Sequence, residues 1–291
     1  MIIVKIVGGL GNQMFQYAFA KNLSLKLNAE LKLDISEYNK SQLRTFALID
    51  IFDIFEKIVK EEDIDQLFKV NNIYEFFKFK IFYNDVKKHR NYIKEKTFLF
   101  DKNYLELKDN VYLDGYWQTE KYFTENAENI RKLFRFRNPL DKKNGAIADL
   151  IKSANSIGVH IRRGDYISNP VTNKYHGFCG IDYIEKAINY IVGKISNPHF
   201  FVFSDDVEWC RNNLKAKFPI LFVENNHREE SYKDMHLMSL CKHNIIANSS
   251  FSWWAAWLNA NRNKIIIAPN KWFENNFTDT KDLIPENWIR I

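Results

Sequence analysis

The chain is 291 residues long, 46% hydrophobic and 27% charged, a composition typical of a globular protein large enough for two domains. The net charge of +6 is modest and no apolar run approaches 20 residues, which argues against nucleic-acid binding and against a membrane span. The three cysteines form no CxxC pair and indicate free thiols in a reducing compartment. Because the chain opens on a strand pattern rather than a secretory leader, we expect a cytoplasmic protein.

Short apolar runs alternate with longer helical patterns along the chain, which favours βα units and parallel sheets. The first half begins with a strand at 2–7, a glycine loop and a helix over 12–27, followed by a strand at 30–34. Residues 50–108 are rich in charge and Phe and predict mostly helix, and a further strand is expected at 111–113.

Residues 74–96 interleave Lys and Arg with Phe and Tyr. A basic and aromatic segment of this kind is suited to peripheral contact with the anionic inner membrane. The alternative is a helix or hairpin with its aromatic rings in the core and its lysines in solvent. Both interpretations stay open on the sequence.

A cluster of Pro, Gly and polar residues at 138–145 predicts a linker. We therefore expect a first domain at 1–140 and a second at 146–291, with the last residues as candidates to pack back on the first. The βα rhythm of the second half predicts strands at 156–162, 199–204, 220–223, 243–247 and 264–268, and helices at 181–194, 207–217, 230–241 and 250–261.

Two adjacent arginines, Arg162 and Arg163, stand where the apolar strand 156–162 ends. A guanidinium presents a fixed fork of donors that matches phosphate oxygens, and open α/β sheets bind ligands at the carboxyl ends of their strands. The alternative is a surface ion pair of either arginine with Asp165.

A glycine loop, Gly8–Gln13, joins the first strand to the first helix, and Asp34 follows about 20 residues later, as in a dinucleotide fingerprint. The match is incomplete because Met14 occupies the third glycine position. The amides of Asn12 and Gln13 also suit sugar hydroxyls, since an amide both donates and accepts. An NAD(P)-binding oxidoreductase therefore stays open as an alternative function.

Two further strand ends in the second half are polar. Asp205 and Asp206 are expected to bind a metal, to bond a nucleobase or simply to cap a helix. The hydroxyl cluster 249–252 predicts a phosphate cradle or a plain helix cap. Three polar strand ends at one edge of a parallel sheet predict a binding cleft. The DxD pattern at Asp63 and Asp65 lies in a charged, surface-like run and is interpreted as chance.

Five ordered blocks resemble the α-1,2-fucosyltransferases of glycosyltransferase family 11, and one of them, the HxRRxD block, is shared with α-1,6-fucosyltransferases. The blocks are Gly8–Ala18, Asp114–Phe123, His160–Asp165, Phe203–Asp206 and Asn248–Trp254. They extend over nearly the whole chain.

The resemblance implies a GT-B fold, with two Rossmann-like domains that face a central cleft. It also implies inverting, metal-independent transfer of L-fucose from GDP-β-L-fucose to the 2-hydroxyl of a terminal β-galactoside. No cofactor is expected. The resemblance leaves three classes of acceptor open: a free oligosaccharide, a glycolipid or an O-antigen precursor.

By the same resemblance the second domain binds the donor, the arginines hold its pyrophosphate, and Asp205 or Asp206 reads the guanine. The donor-binding residues are expected to be His160, Arg162, Arg163, Asp165, Ser204, Asp205, Asp206, Asn248, Ser249, Ser250 and Ser252. The acceptor-binding residues are expected to be Gly11, Asn12, Gln13, Trp117 and Gln118.

Arg162, Asn12, Asp165 and His160 are the catalytic candidates. The general base that takes the acceptor proton stays open, with Asp114 and Glu120 as further candidates. A non-catalytic glycan-binding protein, built on residues 74–96, is the remaining alternative function.

Overall fold

The computed structural model describes residues 1–39, 45–68, 89–164, 174, 177–215, 217–274 and 278–291. Two predictions are affected by these bounds. Residues 74–88 of the basic and aromatic segment lie outside the described residues, and so does Asp165. The membrane contact predicted for that segment therefore stays a prediction.

The chain divides into two compact units. Unit 1 is Met1–Arg137 with Lys281–Leu283, and unit 2 is Asn138–Thr280 with Ile284–Ile291. Each unit carries one parallel sheet with helices in its connections. The predicted α/β class, with two Rossmann-like units, is confirmed.

Unit 1 has a five-stranded sheet in the order β3-β2-β1-β5-β4. Its elements are β1 (Ile2–Lys5), α1 (Leu10–Leu27), β2 (Leu31–Asp34), α2 (Leu48–Ile51), β3 (Lys57–Ile58), α3 (Glu61–Phe68), β4 (Tyr92–Lys94), β5 (Val111–Asp114) and α4 (Ala127–Leu133). Short 3-10 helices lie at Ser36–Asn39, Lys102–Glu106, Glu120–Tyr122 and Thr124–Asn126. The prediction that residues 50–108 are mostly helix is wrong in the described parts, because β3 and β4 add edge strands there.

The central strand β1 is fully buried from Ile2 to Val4, as expected for a parallel strand covered on both faces. It pairs in parallel with β2 and β5, and β5 pairs with β4. The carboxyl ends of these strands therefore meet at one edge, where Asp34 and Asp114 end β2 and β5, Glu95 follows β4, and Gly8 and Gly9 lead from β1 into α1.

Unit 2 has a six-stranded sheet in the order β11-β10-β9-β6-β7-β8. Its elements are α5 (Lys142–Ser153), β6 (Asn155–Ile161), α6 (Gly180–Val192), β7 (Pro198–Ser204), α7 (Val207–Asn213), β8 (Ile220–Val223), α8 (Tyr232–Leu240), β9 (His243–Ile245), α9 (Ser250–Leu258), β10 (Ile266–Ala268) and β11 (Ile289–Arg290). A 3-10 helix covers Arg228–Ser231.

Strand β6 is the centre of unit 2. It pairs with β7 over seven residues and with β9 on its other side, both in parallel. Val159 and Ile161 pack in one buried cluster with Ile184 and Ile188 of α6. Burying each such side chain stabilises the fold by about 1.5–3 kcal/mol, so this packing fixes the strand from which the arginines emerge.

The predicted linker ends earlier than expected, because α5 begins at Lys142. The Asp141 carboxylate caps it by accepting hydrogen bonds from the backbone amides of Lys143 (3.0 Å) and Asn144 (3.1 Å). Capping satisfies amides that have no partner inside the helix. Gly145, read as a linker residue, therefore lies in the helix.

A buried polar network ties α5 to α8. The Asn144 and Asn226 side chains exchange two hydrogen bonds of 2.9 Å, and the Asn226 amide donates to Asp234 at 2.7 Å. Burial raises the pKa of Asp234 to about 7. The folded protein therefore retains a proton on this carboxyl at pH values where the unfolded chain loses it.

None of the helices in the described ranges combines sufficient length with sufficient apolar character to cross a membrane.

We expect Asp234→Asn to raise the free energy of unfolding at pH 8 relative to that at pH 5, compared with the natural protein. Below about pH 4 the Asp234 carboxyl is protonated in both states. As the pH rises toward 7 only the unfolded chain releases the proton, so this group lowers the free energy of unfolding by at most about 1.4 kcal/mol per pH unit. Asn keeps the acceptor oxygen but does not titrate. Urea unfolding of both proteins at pH 5 and pH 8 measures the difference; equal pH dependence contradicts the prediction.

Candidate active site

Three adjacent strands of unit 2 end in the predicted polar residues. Arg162 and Arg163 follow β6, Asp205 and Asp206 follow β7, and Asn248 lies beyond β9. Because the three strands are parallel neighbours, their carboxyl ends lie side by side. The structure confirms the prediction that these polar strand ends lie together at one edge of the sheet.

Both arginines are paired with the aspartates that follow β7. Arg162 Nη1 lies 3.1 Å from Asp205 Oδ2, and Arg163 bonds Asp206. The backbone amide of Arg163 also donates to Asp205 Oδ1 at 2.8 Å. A Cβ on Gly164 would lie 2.9 Å from Asp205 Oδ2, so only glycine permits this approach. We call these four charged side chains the arginine clamp.

Arg163 is held on a second side by Trp209 of α7, whose ring lies 4.8 Å from its guanidinium carbon. This cation–π contact was not anticipated, because no local pattern links the two residues. Asp206 also caps α7 by accepting the amide of Trp209 at 3.1 Å. The capping alternative for the aspartate pair is thus realised by Asp206, together with the pairing to Arg163.

His160 is buried on β6, 7% exposed, with its ring 5.7 Å from that of Phe251 in α9. Its pKa is lowered to about 4, mainly by burial; the charge of Asp205 opposes this shift and that of Arg162 adds to it. The imidazole is therefore neutral near pH 7. Its Nδ1 bonds no residue in the described ranges, so a polar ligand atom is a suitable partner.

The serine cluster supplies the N-terminus of α9. Ser249 is the non-helical cap residue, and Ser249 and Ser250 are half-buried. The first amides of a helix have no partner within it and favour an anion. These two serines therefore remain the phosphate-binding candidates of this loop.

Three of the residues predicted to bind the donor substrate form hydrogen bonds within the protein. The Asn248 amide donates to the carbonyls of Gly177 (3.2 Å) and Trp272 (3.1 Å). The Ser252 hydroxyl, fully buried, donates to the carbonyl of Ser249 at 3.3 Å. Ser204 Oγ accepts the amide of Asp206 at 3.0 Å. These contacts shape the loops that hold the clamp and the α9 terminus.

The glycine loop of unit 1 depends on Gly8, whose φ of +82° favours glycine. A Cβ there would lie 2.8 Å from the side-chain nitrogen of Asn12. Asn12 Oδ1 accepts a hydrogen bond from the Gln118 amide at 2.9 Å. The structure thus brings two predicted acceptor-site residues together across the sheet edge.

Three other predicted acceptor residues are internal to unit 1. Gln13 is fully buried and bonds the carbonyl of Thr45 (2.8 Å) and the amide of Ala47 (3.0 Å). Gly11 is buried within α1. Trp117 is also fully buried, with its ring 4.4 Å from that of Phe19 and 4.7 Å from that of Tyr104. The side chains of these residues therefore pack within unit 1, and their assignment to the acceptor stays a prediction.

Asp34, the acidic residue of the predicted dinucleotide fingerprint, is engaged by other residues of unit 1. Asp34 is buried and accepts hydrogen bonds from the Tyr112 hydroxyl and, at 2.9 Å, from the amide of Ser36. Asp63 of the DxD pattern bonds Lys32 at 2.6 Å. Both carboxylates are thus occupied within unit 1.

Two carboxylates lie at the carboxyl edge of the unit 1 sheet. Asp114 accepts from the Tyr92 hydroxyl and has Lys5 Nζ at 3.8 Å. Glu95 accepts from the amides of Tyr116 (2.6 Å) and Trp117 (3.1 Å). Burial raises the pKa of Glu95 to about 7, and Asp114 adds to the rise. Sequence reasoning missed Glu95, which was only one charge in a basic segment.

Glu120, the other candidate base, lies at the start of a 3-10 helix capped by Thr119. In the described ranges no three His, Cys, Asp or Glu side chains come together as a metal site would require.

A family model for glycosyl transferase family 11 matches residues 1–291. The Escherichia coli alpha-1,2-colitosyltransferase is 40% identical over 100% of this chain and 99% of its own length. The O-antigen biosynthesis glycosyltransferase WbnK of Escherichia coli is 34% identical over 98% of each chain. The galactoside alpha-(1,2)-fucosyltransferase 1 of Leontocebus fuscicollis is 28% identical over 62% of this chain and 52% of its own.

Solved structures show the fold. The crystal structure of NodZ alpha-1,6-fucosyltransferase soaked with GDP-fucose has a TM-score of 0.51 at 15% identity, over 88% of this chain and 92% of that one. Fucosyltransferase NodZ from Bradyrhizobium gives 0.50 at 14% identity, over 87% and 91%. The predicted GT-B fold and the family resemblance are confirmed.

We expect Arg162→Ala to weaken GDP binding about 10- to 100-fold, because a hydrogen bond to a charged group contributes about 1.5–3 kcal/mol. Arg162→Lys should recover part of the loss, since Lys keeps the charge without the fork. Isothermal titration calorimetry with GDP measures both. Arg211→Ala is the matched control, because Arg211 also pairs with a carboxylate of unit 2 (Glu224, 3.0 Å). Unchanged GDP affinity in Arg162→Ala contradicts the assignment.

Proposed function

Because the chain belongs to glycosyltransferase family 11, we propose that it transfers L-fucose from GDP-β-L-fucose to the 2-hydroxyl of a terminal β-galactoside. The arginine clamp carries this proposal. It presents two guanidiniums at a parallel strand end, beside a helix N-terminus with two half-buried serines. This combination suits a diphosphate.

The proposed chemistry is a single displacement with inversion, since a β-linked donor gives an α-linked product. The bond from the anomeric carbon to the diphosphate oxygen breaks as the acceptor oxygen bonds the same carbon. The departing GDP gains negative charge, and donors already in position stabilise it without rearrangement. We assign this role to Arg162 and Arg163, and we assign Ser249 and Ser250 as further hydrogen-bond donors to the phosphate groups.

The acceptor hydroxyl also needs a base. A histidine with a pKa of about 4 is a weak base near neutral pH, so we assign His160 a hydrogen bond to the donor instead. Asp114 and Glu120 of unit 1 remain candidates, and Asp165 is a further one. Asn12 and Gln118 are proposed to bind acceptor hydroxyls.

The names of two relatives support an O-antigen precursor as the acceptor class. One is an O-antigen biosynthesis glycosyltransferase, and another acts on a galactoside. A cytoplasmic location, with peripheral membrane contact through residues 74–96, belongs to the same proposal.

We expect turnover that does not require a metal ion, because the guanidinium N–H groups of the clamp are placed to stabilise the charge on the departing diphosphate, the task that a metal would otherwise perform. Incubation with GDP-fucose, lactose and EDTA should yield 2'-fucosyllactose, identified by NMR, at the rate measured with added Mg²⁺ or Mn²⁺. Dependence on the metal contradicts the metal-independent mechanism. No transfer to any β-galactoside, with GDP binding intact, contradicts the proposed activity.

The donor sugar has a second candidate, because one of the relatives is an alpha-1,2-colitosyltransferase. Colitose is fucose without its 3-hydroxyl. A site built to bond that hydroxyl disfavours colitose by about 10⁴–10⁵ in kcat/KM, whereas an apolar site disfavours fucose by only about 10². We expect a kcat/KM ratio that favours GDP-fucose over GDP-colitose. The opposite ratio, measured by competition of the two donors, would reassign the donor sugar.

A further inference from the structure

An aromatic pair, the exposed Tyr116 and the half-buried Phe98, lies near the carboxylates of unit 1. Tyr116 follows Asp114 by two residues and is 38% exposed, unlike Trp117 next to it, which is fully buried. Its ring is nearly parallel to that of Phe98, at 13° and a centroid distance of 6.4 Å. The ring follows the carboxyl end of β5, and in open α/β sheets this edge is where ligands bind, which makes the ring a candidate ligand surface.

The backbone beneath Tyr116 is held by Glu95. One carboxylate oxygen accepts the Tyr116 amide at 2.6 Å, and the other accepts the Trp117 amide at 3.1 Å. Gly115 permits the approach, since a Cβ there would lie 2.4 Å from Cβ of Glu95. Trp117 has a φ of +55°, a conformation that few non-glycine residues adopt. Two hydrogen bonds to one carboxyl group and a glycine thus fix an unusual turn.

This turn sends adjacent residues in different directions. Trp117 enters the core, Tyr116 faces solvent, and Gln118 reaches Asn12. The exposed ring is therefore at the same sheet edge as the two amides proposed to bind acceptor hydroxyls. A sugar needs both kinds of group, because its hydroxyls need hydrogen bonds and its C–H faces need apolar contact.

Galactose has an apolar face. Its axial 4-hydroxyl projects to one side, so the hydrogens on C3, C4 and C5 group together on the other. The face of an aromatic ring is electron-rich and attracts such hydrogens, and a Tyr hydroxyl tolerates water at the rim. The exposed Tyr116 ring fits this chemistry.

We propose that Tyr116, backed by Phe98, is the platform on which the galactose ring of the acceptor stacks, and that Glu95 positions it. The proposal rests on the proposed galactoside transfer. Tyr116 is a binding residue, and Glu95 is a positioning residue that acts through the turn.

We expect Tyr116→Ala to raise the KM for lactose about three- to tenfold and to leave the KM for GDP-fucose unchanged. Tyr116→Phe keeps the ring and should stay within about twofold of the natural protein. Tyr190→Ala is the matched control, since Tyr190 is 39% exposed and lies on α6 of unit 2. An unchanged KM for lactose in Tyr116→Ala overturns the platform.

Glu95→Gln tests the positioning role, because its amide nitrogen cannot accept the second backbone hydrogen bond. The KM for lactose should rise while kcat and the KM for GDP-fucose hold. A fall in kcat with an unchanged lactose KM would show that Glu95 acts on the reaction itself, which overturns the positioning role.

A binding measurement separates this proposal from the proposed activity. Saturation-transfer difference NMR with methyl β-galactoside and saturating GDP needs no turnover. The strongest transfer should fall on the C3, C4 and C5 hydrogens and should be lost in Tyr116→Ala but retained in Tyr116→Phe. Absence of transfer, or an equal pattern in Tyr116→Ala, overturns the platform whatever the enzyme assay gives.

Discussion

The parallel pairing of β6 with β7 and β9 is the constraint on which unit 2 and its arginine clamp depend. The register places Ile161 opposite Ser204 and Val159 opposite Ile245. The residues that follow each strand start from fixed points only one strand spacing apart. The arginine clamp is therefore positioned by the backbone hydrogen bonds of the sheet. Its side chains start close enough to one another to pair directly. About a quarter of each charged side chain is exposed, so the pairs orient the guanidiniums more than they stabilise the fold.

The clamp is also electrically balanced, since its two arginines face two aspartates. Such a site does not project a strong positive field, and the net charge of the chain is only +6. Under the proposed donor binding, a phosphate is recognised at contact, through the direction of N–H groups, rather than by attraction from a distance. Free phosphate and other small anions gain little from such a site, whereas a ligand with two linked phosphates can use both forks together. Balance of this kind favours selectivity for a diphosphate over general anion binding.

The sequence was sufficient to predict the strand ends, because a polar residue after an apolar run is a local signal. The parallel order then places Arg162, Asp205 and Asn248 at one edge. Residues whose environment comes from distant segments were not predictable in this way. Trp117 is buried by Phe19 and Tyr104, and Glu95 is desolvated against Gly115. A sequence motif shows which residues occur together, but packing decides whether each side chain faces the core or the solvent.

The return of the chain to unit 1 near its end has a consequence for synthesis. Asp282 accepts hydrogen bonds from the amide of Phe100 (3.0 Å) and from Lys121 (2.8 Å), and β11 then completes the sheet of unit 2 beside β10. Domains usually fold in order as the chain leaves the ribosome. Here the first unit lacks a component until residues 281–283 emerge, and the second lacks an edge strand until 289–290 do. Neither half therefore reaches its final form before residues 281–290 have been synthesised.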